Sequence, residues 1–362
     1  MDAPIQAAWS HGAQILTAEP VTRFCGAGLW PAGDLTDWLA SHLTPGRVAV
    51  GIIGYPNAAA LAPPLEVLVC EAPRALPAPG HTGGALAGIH FVSDMAHSAY
   101  VDAIARIHEY LRAGDCYQVN FARRFSARFG GEAFAAWQQL LTHHPAPHAS
   151  FFRLASGDCV FGVSPERFLQ IRAGKVVSEP IKGSRPRGGT PQQDRQISED
   201  LLNSPKDLAE NLMIVDLLRN DLGQVCAAGS VKAEPLFELR RFSNVQHLVS
   251  TVSGRLRPDV SPIEALLACF PGGSITGAPK RRAMEIIQEL EPVPRGYYCG
   301  TQFVLDAYGN LDSNILIRTF QTHGNQIVCH GGGGIVIDSD PQQEYEESLF
   351  KVQKLMESLG RQ

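Results

Sequence analysis

Apolar residues recur along the chain at two different spacings, and the spacings divide it into elements. In "SAYVDAIARIHEYLRAGD" the residues Val101, Ile104, Ile107 and Leu111 fall three or four apart, which predicts a helix ending at Gly114. "CYQVNFARRFSARF" then has the composition of a strand. "ASGDCVFGVSPERFLQIRAGKVVSEPIKG" reads as a β meander turning at Ala173 and Gly174. Ser204, Pro205 and Asp207 read as N-cap, N1 and N3 of a helix buried through Leu208, Leu212, Val215, Leu218 and Leu222. "GAPKRRAMEIIQEL" predicts a helix starting with Pro279, and residues 297–338 a second meander turning at "YGN" and "HGN". Asp340 and Pro341 open a last helix that runs to Gly360.

Residues 1–95 are rich in Pro, Gly and Ala, with short apolar runs such as "RVAVGIIGY" and "LEVLVC". They are expected to form a β-rich segment packing on a core of residues 96–362. Strands come in runs, without strict alternation with helices, so the expected class is α+β with antiparallel sheets.

Composition narrows the partners. The 362 residues are 44% hydrophobic and 19% charged, as in ordinary globular proteins. A net charge of -5 argues against nucleic acid or an anionic membrane as the main partner. The start, "MDAPIQAAWSHGAQ", shows no signal-peptide pattern, and the longest apolar tract is broken by Gly51, Gly54, Pro56, Pro63 and Pro64. Eight scattered cysteines, with no C-x-x-C pair, read as free thiols in a reducing cytoplasm.

Four features suggest chemistry, and each also has a plain structural reading. Asp207 and Glu210, and Glu344 and Glu347, are i, i+3 pairs on two helices, with Lys351 one turn further on. Such carboxylates suit Mg²⁺, and equally suit a capping box and a surface ion pair. "FPGGSITGAPKRR" runs glycines into a helix start, an arrangement that can hold an anion or form a flexible turn. "HGGGGIVIDSDP" allows close backbone approach to a ligand, or a bulge, and Arg318 in "NILIRTF" is placed on a strand as a carboxylate binder or an ion-pair partner. Lys182, in "EPIKGSRPRG", is a solvated loop cation or an inward-facing reactive amine.

From about residue 99 to its end the chain resembles the chorismate-utilising enzymes, the family of anthranilate, aminodeoxychorismate, isochorismate and salicylate synthases. The resemblance rests on ordered blocks: "GDCYQVNF", "SPERFL", "PIKGSRPRG", "DLAENLMIVDLLRNDLG", "FSNVQHLVS", "PGGSITGAPKRRAMEIIQELEP", "RGYYCGT", "NILIRT", "GGGIV" and "EYEES". It implies two antiparallel β-sheets flanked by helices, as in the large subunit of anthranilate synthase, with the active site between them. By position, it implies that Glu210 and Glu347 hold Mg²⁺ with Asp207 and Glu344 beside them. It implies that Tyr298, Arg318, Gly332, Gly334 and Lys351 bind the two carboxylates of chorismate. Ser274 and Thr276 would line that pocket, and His247 would lie near the departing hydroxyl.

Two positions distinguish the branches. Water-adding members carry lysine where this chain has Gln118, and anthranilate synthases carry a small residue where it has Lys182. Lysine in "PIKG" resembles the aminodeoxychorismate branch, with serine rather than the common threonine at Ser184. In that branch the amine attacks C2 and expels the C4 hydroxyl, and ammonia then attacks C4 and expels the amine. This is nucleophilic covalent catalysis, and it needs a neutral Lys182. At a pKa near 10.4 only about one lysine in a thousand is neutral near pH 7.4. Mg²⁺ and burial would both lower that pKa. Glu166, sixteen residues earlier in "SPERF", matches the family's general acid/base. No glutaminase triad is visible, so ammonia is expected from a partner glutamine amidotransferase. The rival readings are an anthranilate synthase large subunit and a catalytically inactive regulatory paralogue.

Overall fold

Alternation along the strands decides which layer each side chain meets. Phe151 and Phe161 join one hydrophobic cluster, while their neighbours Phe152 and Val160 join another. Ala49 and Ile53 face one way, and Val48, Val50 and Ile52 the other. Strands with two apolar faces need cover on both, and the architecture supplies it.

The computed structural model describes residues 4–26, 33–56, 64–76, 88–241 and 245–360. Two large sheets built from antiparallel pairs stack against each other. The first runs in the order Gly277–Ala278, Gln118–Arg128, Gln326–Ile335, Thr319–His323, Cys159–Ser164, His148–Arg153, Ala7–His11, Gln14–Thr17 and Arg74–Ala75. The second runs Lys232–Ala233, Val252–Arg255, Lys175–Ser178, Arg167–Arg172, Leu311–Asn314, Thr301–Asp306, Val48–Ile53, Leu65–Cys70 and Pro20–Gly26. A small third sheet orders Ile181–Pro186, Val245–Val249 and Glu238–Arg241. The strands before residue 76 thus lie within the two large sheets.

The helices are α1 (Gly33–His42), α2 (His97–Ala113), α3 (Ala133–His143), α4 (Pro191–Leu202), α5 (Pro205–Val225), α6 (Pro262–Cys269), α7 (Lys280–Leu290) and α8 (Pro341–Gly360). α3 and α8 cover the outer face of the first sheet, and α5 and α6 cover the second. The sequence signals for α2, α5 and α8 hold: Gly114 caps α2 at φ 80°, and Ser204 Oγ accepts the Asp207 N–H. The stripe read for α5 needs correction. Leu212 is 46% exposed, and the buried face runs through Asn211, Ile214, Val215, Leu218, Asp221, Leu222 and Val225. The helix is rotated so that a polar amide and a carboxylate enter the interior, which an apolar-only pattern does not anticipate.

Both meanders also differ from expectation, in the same way. The chain passes from the first sheet to the second between Ser164 and Arg167, and back between Asn314 and Thr319. The two crossings run side by side. Ile315 N–H donates to the Glu166 carbonyl at 3.1 Å, and Ser164 Oγ donates to the Ile315 carbonyl at 2.6 Å. Arg318 consequently sits in a crossing loop with φ 52°, and not on a strand.

Candidate active site

Lys182 lies in an irregularity of the third sheet. Ile181 pairs with Val249 and Ser184 with His247, so three steps on one strand match two on the other. Such a bulge re-aims the side chain it carries. Gly183 makes it possible, with φ 81° and with Leu201 and Asp207 close enough to crowd any side chain there. Lys182 is partly buried, and burial moves its ammonium pKa below the ordinary lysine value, outweighing the opposing field of Glu210. Lys351 adds to the lowering, while Glu166 and Glu347 oppose it. These five residues, from four separate stretches of chain, therefore share one electrostatic neighbourhood.

Glu166 occupies the first sheet-to-sheet crossing and is 8% exposed. Burial pushes its carboxyl up to about 7, against the opposing effects of a Ser274 hydrogen bond and the Lys182 charge. Ser274 Oγ donates to Glu166 Oε1 at 2.8 Å. Ser274 belongs to a tight turn, Gly273–Ile275, and not to an open anion cradle. The Thr276 hydroxyl is spent within that turn, donating to the Gly272 carbonyl at 3.0 Å. Lys280 staples the loop, its Nζ bonding Asp221 Oδ2 at 2.7 Å and the Cys269 carbonyl at 2.9 Å.

The acidic stripe of α8 gathers around a glycine. A Cβ on Gly333 would stand 3.2 Å from Glu344 Oε2, 3.3 Å from Lys351 Nζ and 3.5 Å from Glu347 Oε1. Ser339 Oγ holds Glu344 Oε1 at 2.7 Å, and burial raises the Glu344 pKa. Burial works against ionisation of Glu347 as well, but Lys351, at 2.6 Å, outweighs it and the pKa falls. Lys351 Nζ also donates to the Gly332 carbonyl at 2.9 Å. Asp207 is engaged elsewhere, accepting from Arg185 Nη2 at 2.7 Å. Among the described residues no group of three metal-capable side chains is already gathered.

The remaining candidates are placed one by one. His247 Nδ1 shares a 2.7 Å hydrogen bond with Ser184 Oγ, and burial, then Arg318, lowers its pKa. Burial also lowers the pKa of Arg318, for whose guanidinium no carboxylate partner occurs among the described residues. Tyr298 is stacked on His330, with centroids 4.9 Å apart and planes at 10°. Gly334 admits the Gln118 amide, which a Cβ would meet at 2.6 Å. Gln118 is fully buried, and neither amide atom has a hydrogen-bond partner among the described residues. Residues 242–244, which begin the "FSNVQHLVS" block, lie outside the described residues.

One element escaped the reading of the sequence. Arg295, in the "PRGYY" stretch, is 3% exposed and forms a buried ion pair with Glu291. The signal was there: an arginine between two helix breakers and two tyrosines, four residues after a glutamate.

Comparison with known proteins places the chain in a family. The sequence profile for chorismate binding enzymes matches residues 62–357. The chain is 48% identical over 267 residues to aminodeoxychorismate synthase component 1 of Klebsiella aerogenes, covering 74% of this chain and 59% of that protein. It is 41% identical over 281 residues to anthranilate synthase component 1 of Synechocystis, covering 75% of this chain and 55% of that one. The chain thus spans somewhat over half the length of the curated relatives it matches. Its fold superposes on anthranilate synthase component I from Streptococcus pneumoniae with a TM-score of 0.81 at 26% identity, covering 98% of this chain and 93% of that one. On this evidence, the chain belongs to the chorismate binding enzyme family.

Proposed function

We propose that the chain replaces the C4 hydroxyl of chorismate with an amino group, giving 4-amino-4-deoxychorismate on the way to p-aminobenzoate and folate. It would act as component 1 of an aminodeoxychorismate synthase, with ammonia supplied by a separate glutamine amidotransferase. The observation that carries this reading is that Lys182 and Glu166 act on one another's titration in one buried neighbourhood. One amine has its pKa lowered and one carboxyl has its pKa raised to about 7, within a shared field. Lowering an amine's pKa favours its nucleophilic form, and a carboxyl near 7 can give a proton close to neutral pH.

In this reading the neutral Lys182 amine attacks C2. The ring double bond shifts, the C4–O bond breaks, and Glu166 gives its proton to the hydroxyl, which leaves as water. Glu166 takes back a proton from nitrogen. Ammonia then attacks C4, the double bond returns, and the C2–N bond to Lys182 breaks as Glu166 gives its proton to the departing lysine nitrogen, the new C4 ammonium afterwards returning a proton to Glu166. Arg318 and Lys351 would match the charge of the substrate carboxylates, and Tyr298 would flank them. His247 would face the departing hydroxyl.

Members of this family are expected to use Mg²⁺. The residues fit it: the missing Gly333 side chain leaves room between Glu344 Oε2 and Glu347 Oε1, and burial raises the cost of charge on Glu344, which a cation would relieve. Glu210, Glu344 and Glu347 would hold the ion. When bound, it would neutralise a substrate carboxylate and favour the uncharged form of Lys182. A cytoplasmic setting agrees with cysteines that are all free, seven of them buried, and with the lack of any described helix long and apolar enough to cross a membrane.

Product analysis after incubation with chorismate, Mg²⁺ and ammonium tests the proposal. 4-Amino-4-deoxychorismate supports it. Anthranilate would move the chain to the other amination branch, and no turnover would indicate an inactive paralogue.

A further inference from the structure

The strand Gln118–Arg128 has a full-length neighbour on one side only, Gln326–Ile335. On its other side Gly277–Ala278 pairs at Val119 and Gln118, and Val92–Ser93 pairs at Ser126 and Phe125. Backbone and side-chain groups bridge much of the gap between these fragments. Asn120 N–H donates to the Thr276 carbonyl at 2.8 Å, and Asp94 N–H donates to the Arg124 carbonyl at 2.9 Å. Two of the backbone groups between them are taken by side chains. Arg295 Nη2 donates to the Asn120 carbonyl at 2.7 Å, and Glu291 Oε1 accepts the Ala122 N–H at 2.9 Å. The two side chains are themselves paired, Nη2 to Oε1 at 2.6 Å and Nε to Oε2 at 2.9 Å. An ion pair therefore stands in for the missing length of strand.

The same guanidinium reaches the loop beside the proton-transfer carboxyl. Arg295 Nη1 donates to the Ile275 carbonyl at 3.0 Å, one residue after Ser274. Its plane lies over the rings of Tyr55 and Tyr298, at 4.6 Å and 5.6 Å from their centroids. Arg295 does not touch Glu166. Ser274 does, at 2.8 Å.

We infer that the Arg295–Glu291 pair is a positioning device, holding Ile275 to the edge of the Gln118–Arg128 strand so that Ser274 Oγ is fixed against Glu166. A guanidinium is needed because it aims donors at Glu291, Asn120 and Ile275 simultaneously, and a lysine ammonium has no such planar fork. The inference rests on Glu166 acting in proton transfer, as proposed above.

The test compares kcat–pH profiles, KM and urea unfolding for wild type, Ser274→Ala, Arg295→Lys and the double variant, with ammonium as nitrogen donor. The charged or titratable groups facing Glu166 are Lys182 from the bulge and Cys299 from the loop before Thr301, and all four proteins retain them. Each single variant should lose kcat by on the order of tenfold to a hundredfold with little change in KM. Each should move the alkaline limb upward, because the hydrogen bond that favours ionised Glu166 is lost. The double variant should be no worse than the poorer single one. Additive losses, or an unmoved limb in Arg295→Lys beside a moved limb in Ser274→Ala, would overturn the inference alone. A Ser274→Ala profile identical to wild type would overturn the inference, while the proton-transfer role of Glu166 is tested separately by Glu166→Gln, which should lose turnover if that role holds. Should Arg295→Lys not fold, Glu291→Gln supplies the second arm, with the same direction expected and an unmoved profile equally fatal.

Discussion

Ile315 and Glu166 are joined main chain to main chain at 3.1 Å, where the two sheet-to-sheet crossings run side by side. Ser164 completes the junction, its hydroxyl donating to Ile315 O at 2.6 Å while sitting 3.3 Å from the Glu166 N–H. Ser164→Ala should remove one of two donors to the Ile315 carbonyl, which keeps the Ile317 N–H at 2.8 Å, and cost about 0.5–1.5 kcal/mol of stability. Urea unfolding measures this. A midpoint equal to that of wild type would mean that the crossings hold themselves together without Ser164.

Glu166 should impose a pH dependence on folding. Its pKa is raised from 4.5 to about 7 in the folded protein, so the folded state binds the proton more tightly than the unfolded one. Its contribution is therefore complete below about pH 4.5 and declines as pH rises through 7, by on the order of 3 kcal/mol in all. Glu166→Gln should flatten that decline and be relatively more stable at pH 8 than at pH 5, while losing turnover. Parallel stability curves for the two proteins would contradict the raised pKa.

Lys182→Ala should lose most amination of chorismate and keep both the fold and substrate binding. Lys182→Arg should not rescue, since guanidinium stays protonated. Intact-protein mass spectrometry of wild type with chorismate and Mg²⁺, without ammonia, should reveal an adduct of chorismate minus water on the peptide containing Lys182. An adduct on another peptide would sink the nucleophile assignment.

Metal removal should abolish activity, and Mg²⁺ should restore it. Glu210→Gln and Glu347→Gln should each do comparable damage without unfolding the chain. Gly333→Ala is the sharper probe, because its methyl group would stand 3.2 Å from Glu344 Oε2 and 3.5 Å from Glu347 Oε1. The Mg²⁺ concentration for half-maximal rate should rise several-fold in that variant. An unchanged titration would place the ion elsewhere.

Arg318→Ala should weaken chorismate binding by about tenfold or more, since a substrate carboxylate would lose a charge-assisted partner. Calorimetry reads this directly. Unchanged affinity would leave the strained backbone of Arg318, at φ 52°, as a feature of the crossing alone.

Much of the fold could be read from the chain because local rules and tertiary structure agree there. Gly114, Ser204 with Pro205, and Asp340 with Pro341 mark helix ends in the sequence and in the structure. What periodicity could not supply was the pairing between distant strands. The runs 155–183 and 297–338 look like meanders because alternation reports which residues share a face, and is silent on which sheet a strand joins. Glu166 and Arg318 owe their placement to those unseen crossings. Likewise, the acidic spacing of Glu344 and Glu347 was readable, while the engagement of Asp207 by Arg185 depends on a bulge that no local pattern announces.

The side-chain seal on the Gln118–Arg128 strand has a consequence outside catalysis. An uncovered strand edge is a template on which another chain can build, leading to swapped dimers or fibrils. Here the Asn120 carbonyl and the Ala122 N–H are already taken by Arg295 and Glu291, so an intruding strand would have to displace that pair to build a regular ladder on this edge. The Arg295–Glu291 pair should therefore protect solubility at high protein concentration, and variants of it should aggregate before they unfold.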